Sequence, residues 1–142
     1  GRQIYGMDLD PGAFRRDVAR ARTFGFMQDV TKLWAVNKAL GASLENTIVV
    51  GDDRILNPEG LRFRDEFVRH KLLDAVGDLS LAGAPLIGRF RSYRGGHRMN
   101  VKLLDALFAD PTAYAVVEQA HRRERGHADL GVAVPAYGPD AN

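Results

Sequence analysis

Apolar residues recur at helical spacing between residues 66 and 79, in the stretch that carries the main candidate chemistry. The apolar positions lie one, three or four residues apart and are Val68, Leu72, Ala75, Val76 and Leu79. On a helix that turns about 100° per residue, His70, Asp74 and Asp78 fall along the opposite side. Lys71 lies at the edge of that side. The pattern predicts an amphipathic helix whose polar side carries chemical groups.

Spacing alone leaves two interpretations of that polar side open. A histidine and an aspartate one turn apart can direct an imidazole nitrogen and a carboxylate oxygen at one point, which suits a divalent metal such as zinc. The other interpretation is a surface helix whose His70, Lys71, Asp74 and Asp78 form weak ion pairs along the helix.

Other helices are predicted from caps and apolar periodicity. Asp10 can cap free backbone amides and Pro11 fits the first helical position, so a helix begins there and is expected to end near Gly25. The remaining predicted helices cover residues 29–38, 98–109 and 112–125.

The predicted strands cover residues 47–50 and 86–93. The first is followed by a hairpin turn at residues 51–53, and the second alternates apolar and polar residues. Residues 22–27 predict a turn flanked by core residues, with a ligand-lining role as the alternative. The order of elements predicts an α+β domain with a small, mostly antiparallel sheet that is covered on one face by helices.

A second candidate site lies at the junction between the predicted strand 86–93 and the helix after it. Gly95 and Gly96 precede His97 there, in a turn that leaves backbone amides free. An imidazole at such a turn can transfer a proton to a bound substrate. The alternative is a buried histidine that is held by hydrogen bonds.

Composition limits the class of protein. With 142 residues, 45% of them hydrophobic, the chain is predicted to form one domain with a buried core. It contains no apolar run long enough for an integral membrane segment and no signal-peptide pattern. The absence of cysteine excludes disulfides and thiolate sites, and it agrees with an expected cytoplasmic location.

Charge favours a small anionic substrate over a nucleic acid. Twenty basic and eighteen acidic residues give a formal net charge of +2, and the arginines occur in clusters that can meet phosphates. Acidic residues are interleaved with them, so we expect no nucleic-acid partner. The sequence also has neither a P-loop nor a nucleophile-elbow pattern.

Five segments, in this order and with these spacings, resemble a known family. They are residues 21–26, 39–50, 56–62, 65–79 and 94–97. The family is the zinc-dependent UDP-3-O-acyl-N-acetylglucosamine deacetylases, which perform the committed step of lipid A biosynthesis in Gram-negative bacteria. The resemblance extends over roughly the first 110 residues and is far more specific than the spacing of one His and one Asp.

The resemblance implies a role for each residue of the candidate sites. His70 and Asp74 are implied as zinc ligands, with Lys71 beside them to hold the substrate. His97 is implied as the general acid that protonates the leaving amine, with Asp78 ordering its imidazole. Zinc, the implied cofactor, can polarise an amide carbonyl and lower the pKa of a bound water toward about 7.

The resemblance also implies how the substrate, a UDP-linked acylated glucosamine, is bound. Thr23 corresponds to a threonine that hydrogen-bonds the developing oxyanion, and residues 26–50 resemble an inserted β-α-β unit that forms an apolar passage for the acyl chain. Candidates for the passage or its entrance are Phe24, Phe26, Ala39, Ser43, Leu44 and Val49. Gly25 joins the implied substrate-binding residues. Arg94, where many relatives have lysine, suits the diphosphate.

Part of the family's site has no counterpart in this sequence. The remaining zinc ligand, a histidine, and the glutamate that acts as general base belong to an N-terminal domain of similar size. We therefore interpret residues 1–126 as a C-terminal catalytic domain and residues 127–142 as a mobile tail, with the N-terminal domain as the expected partner. Since catalytic zinc normally has three protein ligands, we expect this chain alone to bind zinc weakly and to be largely inactive.

A different class of function remains open from the sequence. The apolar passage and the arginines would also suit a noncatalytic module that binds an acylated anionic ligand. Activity in the presence of the N-terminal domain would separate the two interpretations.

Overall fold

The computed structural model describes residues 1–118 and confirms an α+β chain with four helices and a two-stranded sheet. The elements are α1 (Pro11–Asp17), β1 (Thr23–Phe26), α2 (Met27–Ala35), β2 (Thr47–Val50), α3 (Glu66–Leu79) and α4 (His97–Ala109). A 3₁₀ turn, Ser80–Ala82, extends α3 and ends at Gly83, whose φ of 77° suits glycine.

The two strands of the sheet run parallel. Thr23 lies beside Thr47, and Phe26 lies beside Val50. The prediction of a mostly antiparallel sheet is therefore wrong. The chain returns through α2 before it enters β2, and this β-α-β connection makes the two strands point the same way. Among residues 1–118, antiparallel pairing is limited to one isolated bridge, between Val50 and Ile55.

The predicted turn after β2 is present. The backbone amide of Gly51 donates to the carbonyl of Arg54 at 2.8 Å, and the amide of Leu56 donates to the carbonyl of Val49 at 2.9 Å. These bonds fold residues 51–56 back along the end of β2.

The start of α1 is confirmed and its predicted end is wrong. The Asp10 carboxylate accepts hydrogen bonds from two backbone amides of the first turn, at 2.8 and 3.0 Å, and these bonds lower the pKa of Asp10. The helix stops at Asp17, well before Gly25. Gly25 instead pairs with Val49 in the sheet, so strand pairing decides the conformation of residues 23–26.

Helix α2 begins two residues earlier and ends three residues earlier than predicted. Asn37 and Ala39 adopt φ angles of 55° and 54°, which are incompatible with a continuing right-handed helix. The Trp34 indole donates to the carbonyl of Ala39 at 3.2 Å and fastens the turn that follows.

Residues 86–93 form no strand, so that prediction is wrong. Ile87 and Tyr93 each expose 78% of their surface, and within residues 1–118 no strand lies beside this segment. An alternating pattern specifies which side chains share a face, but a strand also needs a neighbouring backbone to satisfy its amides and carbonyls.

The predicted helix over residues 112–125 is also wrong for the part that the structure describes. The Asp110 carboxylate accepts hydrogen bonds from the amide and the hydroxyl of Thr112, and this turn replaces a helical one. Residues 112–118 are not helical. The rest of that prediction, and the predicted tail at residues 127–142, lie outside the described residues.

The core lies where α3 packs against β1 and α4. Ile48 of β2 is fully buried, Ala75 of α3 and Leu104 of α4 are buried, and the rest of the predicted apolar stripe of α3 is half-buried. No helix within residues 1–118 has both the length and the apolar character needed to cross a bilayer.

Candidate functional site

His70 and Asp74 meet on one face of α3, as their spacing predicts. His70 Nε2 lies 3.2 Å from Asp74 Oδ1, and the two side chains expose only 12% and 10% of their surface. Because a solvated surface pair would be far more exposed, this burial argues against the interpretation of α3 as a simple surface helix. Away from bulk water, a carboxylate and an imidazole nitrogen each need a hydrogen-bond, ion-pair or metal partner.

The orientation of the His70 ring is fixed from the opposite side. His70 Nδ1 lies 3.3 Å from the carbonyl oxygen of Ala21, the residue two positions before β1. A carbonyl only accepts hydrogen bonds, so this contact requires the hydrogen on Nδ1. In the neutral ring this leaves the lone pair on Nε2, on the side that faces Asp74. An imidazole nitrogen and a carboxylate oxygen that face one region are the types of atom that bind a divalent metal.

Lys71 contacts the other oxygen of Asp74. Its ammonium donates to Asp74 Oδ2 at 2.8 Å, and it lies 5.5 Å from the centre of the Phe24 ring. Phe24 also packs edge-on against Phe67, with ring centres 4.9 Å apart. Its ring therefore forms part of the apolar wall beside the His70 and Asp74 pair.

His97 reaches the same region from α4. Its Nδ1 lies 2.9 and 3.0 Å from the two oxygens of Asp78, and its Nε2 lies 3.9 Å from Asp74 Oδ2. The His97 side chain is 67% exposed, so the alternative of a buried structural histidine is wrong. The imidazole is held at one nitrogen and open at the other.

Asn100 is a site residue that the sequence interpretation missed. Its amide donates to Asp78 Oδ2 at 2.9 Å from a buried position on α4. This hydrogen bond, together with that from His97, lowers the pKa of Asp78 despite the cost of partial burial. Asn100 follows His97 by three residues, so the shared helical face was a signal that could have identified it.

Thr23 and Arg94 are less closely joined to this cluster. Thr23 opens β1 with an exposed side chain, two residues after the Ala21 carbonyl that contacts His70. Arg94 is exposed, with a φ of 51°, and its guanidinium lies 5.7 Å from the centre of the Tyr93 ring. Neither side chain contacts His70 or Asp74 among the described hydrogen bonds and ion pairs.

An apolar cavity of 280 Å³ lies between α2, β2 and the loop that joins them. Its lining residues are Met27, Val30, Trp34, Ala42, Ser43, Leu44, Thr47, Val49 and Leu56. The set includes three of the predicted passage residues, Ser43, Leu44 and Val49. It omits Phe24, Phe26 and Ala39. Val30 and Trp34 are four residues apart on one face of α2, a signal that could have identified them.

Gly25 lies beside Val30, which lines the cavity. A Cβ atom at Gly25 would lie 3.4 Å from the Val30 side chain, at the short end of ordinary van der Waals contact. Phe26, the next residue, is exposed on the outside of the strand pair. Gly25 therefore lies next to a residue that lines the cavity, whereas the Phe26 ring is exposed to solvent.

A buried ion pair joins the start of β1 to the start of α3. Arg22 and Glu66 expose 3% and 0% of their surface, and Arg22 Nε donates to Glu66 Oε1 at 3.0 Å. Arg22 also contacts the Glu59 carboxylate and donates to the carbonyl of Gly60. Burial tends to raise the pKa of Glu66, but the hydrogen bonds from Arg22 and the Arg62 amide lower it. Arg22 is therefore engaged within the fold and is not free to meet a phosphate.

The donor set of the site fits part of a metal centre. One imidazole nitrogen and one carboxylate oxygen, from His70 and Asp74, are ligand types that zinc takes. Within residues 1–118, no three side chains of His, Cys, Asp or Glu are arranged so that they could hold a metal ion together. The described residues thus bring together two side chains of ligand type, those of His70 and Asp74.

Comparison with known proteins identifies similar sequences. A family profile described as "LpxC: UDP-3-O-acyl N-acetylglycosamine deacetylase" matches residues 1–109. Proteins of Brucella ovis, Brucella canis and Brucella suis, each named UDP-3-O-acyl-N-acetylglucosamine deacetylase, are 60% identical to this chain over 119 residues. The aligned region covers 83% of this chain and 42% of each relative. The chain thus spans less than half the length of these relatives.

Proposed function

The chain belongs to the family of UDP-3-O-acyl-N-acetylglucosamine deacetylases, and on this premise we propose that it contributes one side of a zinc-dependent deacetylase site. The reaction is hydrolysis of the N-acetyl group of UDP-3-O-acyl-N-acetylglucosamine in lipid A biosynthesis. The convergence of His70, Asp74 and His97 on one face between α3 and α4 is the observation that carries the proposal.

His70 and Asp74 are the proposed zinc ligands. The hydrogen bond to Ala21 leaves His70 Nε2 as a lone-pair donor, and Asp74 supplies an oxygen beside it. When bound, zinc would supply Lewis acidity for the amide carbonyl and for an attacking water. A third ligand and the general base are proposed to come from the part of the longer relatives that this chain does not span.

His97 is the proposed general acid. Asp78 holds Nδ1 and, as an ionised carboxylate, stabilises the charged imidazolium. The free Nε2 can then donate its proton to the amine nitrogen as the carbon–nitrogen bond breaks. Because an unprotonated amine is a poor leaving group, this proton transfer is needed for the products to separate.

The remaining residues are proposed to bind and orient the substrate. Lys71, partly exposed beside Asp74, can pair with a polar substrate group, and Thr23 can donate a hydrogen bond to the developing oxyanion. Arg94, exposed three residues before His97, is the proposed contact for the diphosphate. Phe24 supplies an apolar wall beside Lys71.

The cavity between α2 and β2 is the proposed site for the substrate's acyl chain. Its lining is almost wholly apolar, as burial of methylene groups requires. Residues 26–50 would thus act as the acyl passage, with Ser43 at its lining and Gly25 next to the lining residue Val30. Phe26 is proposed to act at the entrance, because its ring is exposed.

The proposal makes the isolated chain largely inactive, because two ligands hold zinc weakly and the general base is lacking. The test is to add the remainder of the Brucella ovis relative as a second polypeptide and to measure acetate release from UDP-3-O-acyl-N-acetylglucosamine. We expect activity only in the mixture. His97→Gln should abolish it, whereas Arg98→Gln, an exposed change one residue away, should retain it. Full activity of the isolated chain, or an unaffected His97→Gln mixture, would contradict the proposal.

One observation favours a noncatalytic binding module as the second candidate. The apolar cavity shares no lining residue with the polar face of α3, so an acylated ligand could bind without reaching His70. Tight binding of the acylated sugar nucleotide by the mixture, without acetate release, would support this candidate.

A further inference from the structure

Glu66 is a fully buried carboxylate that the proposed mechanism leaves without a role. A buried ion pair generally contributes little net stability, because desolvation of both charges offsets their attraction. The pair that Glu66 forms with Arg22 therefore does not by itself explain why a charged group lies at this point of the fold. The backbone contacts of Glu66 offer an explanation.

The peptide group between Ala21 and Arg22 has a partner at each end. Its N–H, from Arg22, donates to Glu66 Oε1 at 3.0 Å. Its carbonyl, from Ala21, lies 3.3 Å from His70 Nδ1. Glu66 and His70 are one turn apart on α3, so a single helix holds this peptide group from both sides.

We propose that Glu66 is a positioning residue that fixes the orientation and tautomer of His70 through the Ala21–Arg22 peptide group. A carboxylate that accepts from a peptide N–H polarises the group and makes its carbonyl oxygen a stronger acceptor. That oxygen then holds the hydrogen on His70 Nδ1 and keeps Nε2 free for a ligand. A carbonyl or carboxylate behind a metal-bound histidine commonly acts in this way. Only the link to metal binding rests on the proposed function.

The test measures the tautomer directly in the complete 142-residue chain. The ring nitrogens of ¹⁵N-labelled histidine are observed by NMR with a chelator present, at about pH 8, where histidine is ordinarily neutral. His70→Gln assigns the His70 signals among the four histidines. We expect the shift of a protonated nitrogen at Nδ1 and of an unprotonated nitrogen at Nε2. The opposite pattern, or two protonated ring nitrogens, in the wild-type chain would overturn the proposal.

Glu66→Gln removes the charge and retains the size of the side chain. We expect the two nitrogen shifts of His70 to move toward each other, because both tautomers become populated and exchange. The matched control is Glu59→Gln, which removes another carboxylate partner of Arg22 but does not contact the peptide group. If Glu66→Gln does not fold by circular dichroism, Glu66→Asp, which keeps the charge and shortens the reach, should give the same mixture. A folded Glu66 variant with the wild-type pattern would overturn the proposal.

Zinc affinity separates this inference from the proposed function. In the same chains, competition with a chromophoric chelator should show zinc binding about 10-fold weaker in Glu66→Gln, and unchanged in Glu59→Gln. A changed tautomer with unchanged zinc affinity would support the positioning role and contradict His70 as a zinc ligand. An unchanged tautomer would contradict the positioning role whatever the zinc affinity.

Discussion

At the scale of single residues, each histidine of the candidate site has one ring nitrogen that contacts a fixed partner and one that faces the site. His70 Nδ1 contacts the Ala21 carbonyl while its Nε2 faces Asp74, and His97 Nδ1 is held by the Asp78 carboxylate. The sequence predicted the pairing of His70 with Asp74, because helical spacing alone brings them together. It could not predict the Ala21 carbonyl behind His70, because that contact joins residues 49 positions apart through the packing of the strand on the helix.

The role of Asp78 can be tested by Asp78→Asn in the mixture with the remainder of the Brucella ovis relative. The amide cannot stabilise a charged His97 imidazole, so we expect kcat to fall about 100-fold, the lower range for loss of a general acid. Steady-state acetate release measures this change. Asp105→Asn, an exposed aspartate on α4, is the matched control. Equal rates for the two variants would contradict the pairing of Asp78 with His97.

The buried ion pair of Arg22 and Glu66 leads to a second prediction, which concerns how the free energy of unfolding depends on pH. The pKa of Glu66 is lowered from its ordinary 4.5 in the folded chain, so the ionised carboxylate stabilises the fold above that value. Its contribution is lost as the pH falls through the folded-state pKa. Glu66→Gln should lose about 3 kcal/mol at neutral pH, as expected when one partner of a buried pair is removed.

Urea unfolding at several pH values between about 3 and 7 measures this effect. The free energy of unfolding should fall more steeply with acid in the wild-type chain than in Glu66→Gln, so that the two curves converge at low pH. A constant difference between the curves across this range would contradict the assigned pKa direction.

At the scale of secondary-structure elements, local signals predicted helices better than strands. The apolar and polar pattern of α3 and the cap of α1 depend on neighbouring residues, and both are confirmed. Residues 86–93 carry an alternating pattern but no strand, and the parallel direction of β1 and β2 was implied only by the family resemblance to a β-α-β unit, whereas the residue patterns indicated an antiparallel sheet. Strand pairing depends on which backbone lies alongside, and that information is distant in the sequence.

The cavity in the β-α-β unit leads to a prediction about acyl-chain length, to be tested in the mixture of this chain with the remainder of the Brucella ovis relative. Ala42→Trp places an indole in the cavity between α2 and β2, so long acyl chains should lose burial. Each excluded methylene should raise KM about fourfold, from about 0.8 kcal/mol per buried group, with short-chain substrates little affected. A series of substrates of increasing chain length measures this. Ala35→Trp, an exposed position on α2 outside the cavity, is the control, and equal effects of the two variants would contradict the passage.

At the scale of the whole molecule, the chain belongs to a known family and spans only part of the length of its relatives. The family resemblance of residues 1–110 is confirmed by the matching profile and by relatives at 60% identity. The same relatives are more than twice as long as the aligned region, which covers 42% of each of them. The candidate site residues of α3 and α4 come close together, and within residues 1–118 no third side chain of His, Cys, Asp or Glu completes a metal-binding group with His70 and Asp74.

The central claim is that His70 and Asp74 hold zinc together with a ligand from another polypeptide segment. The most direct measurement is the zinc content of the complex between this chain and the remainder of the Brucella ovis relative, by elemental analysis after gel filtration. We predict about one zinc ion per complex for the wild type and a loss of most of it in His70→Ala and in Asp74→Ala. An unchanged zinc content in both variants would contradict the account.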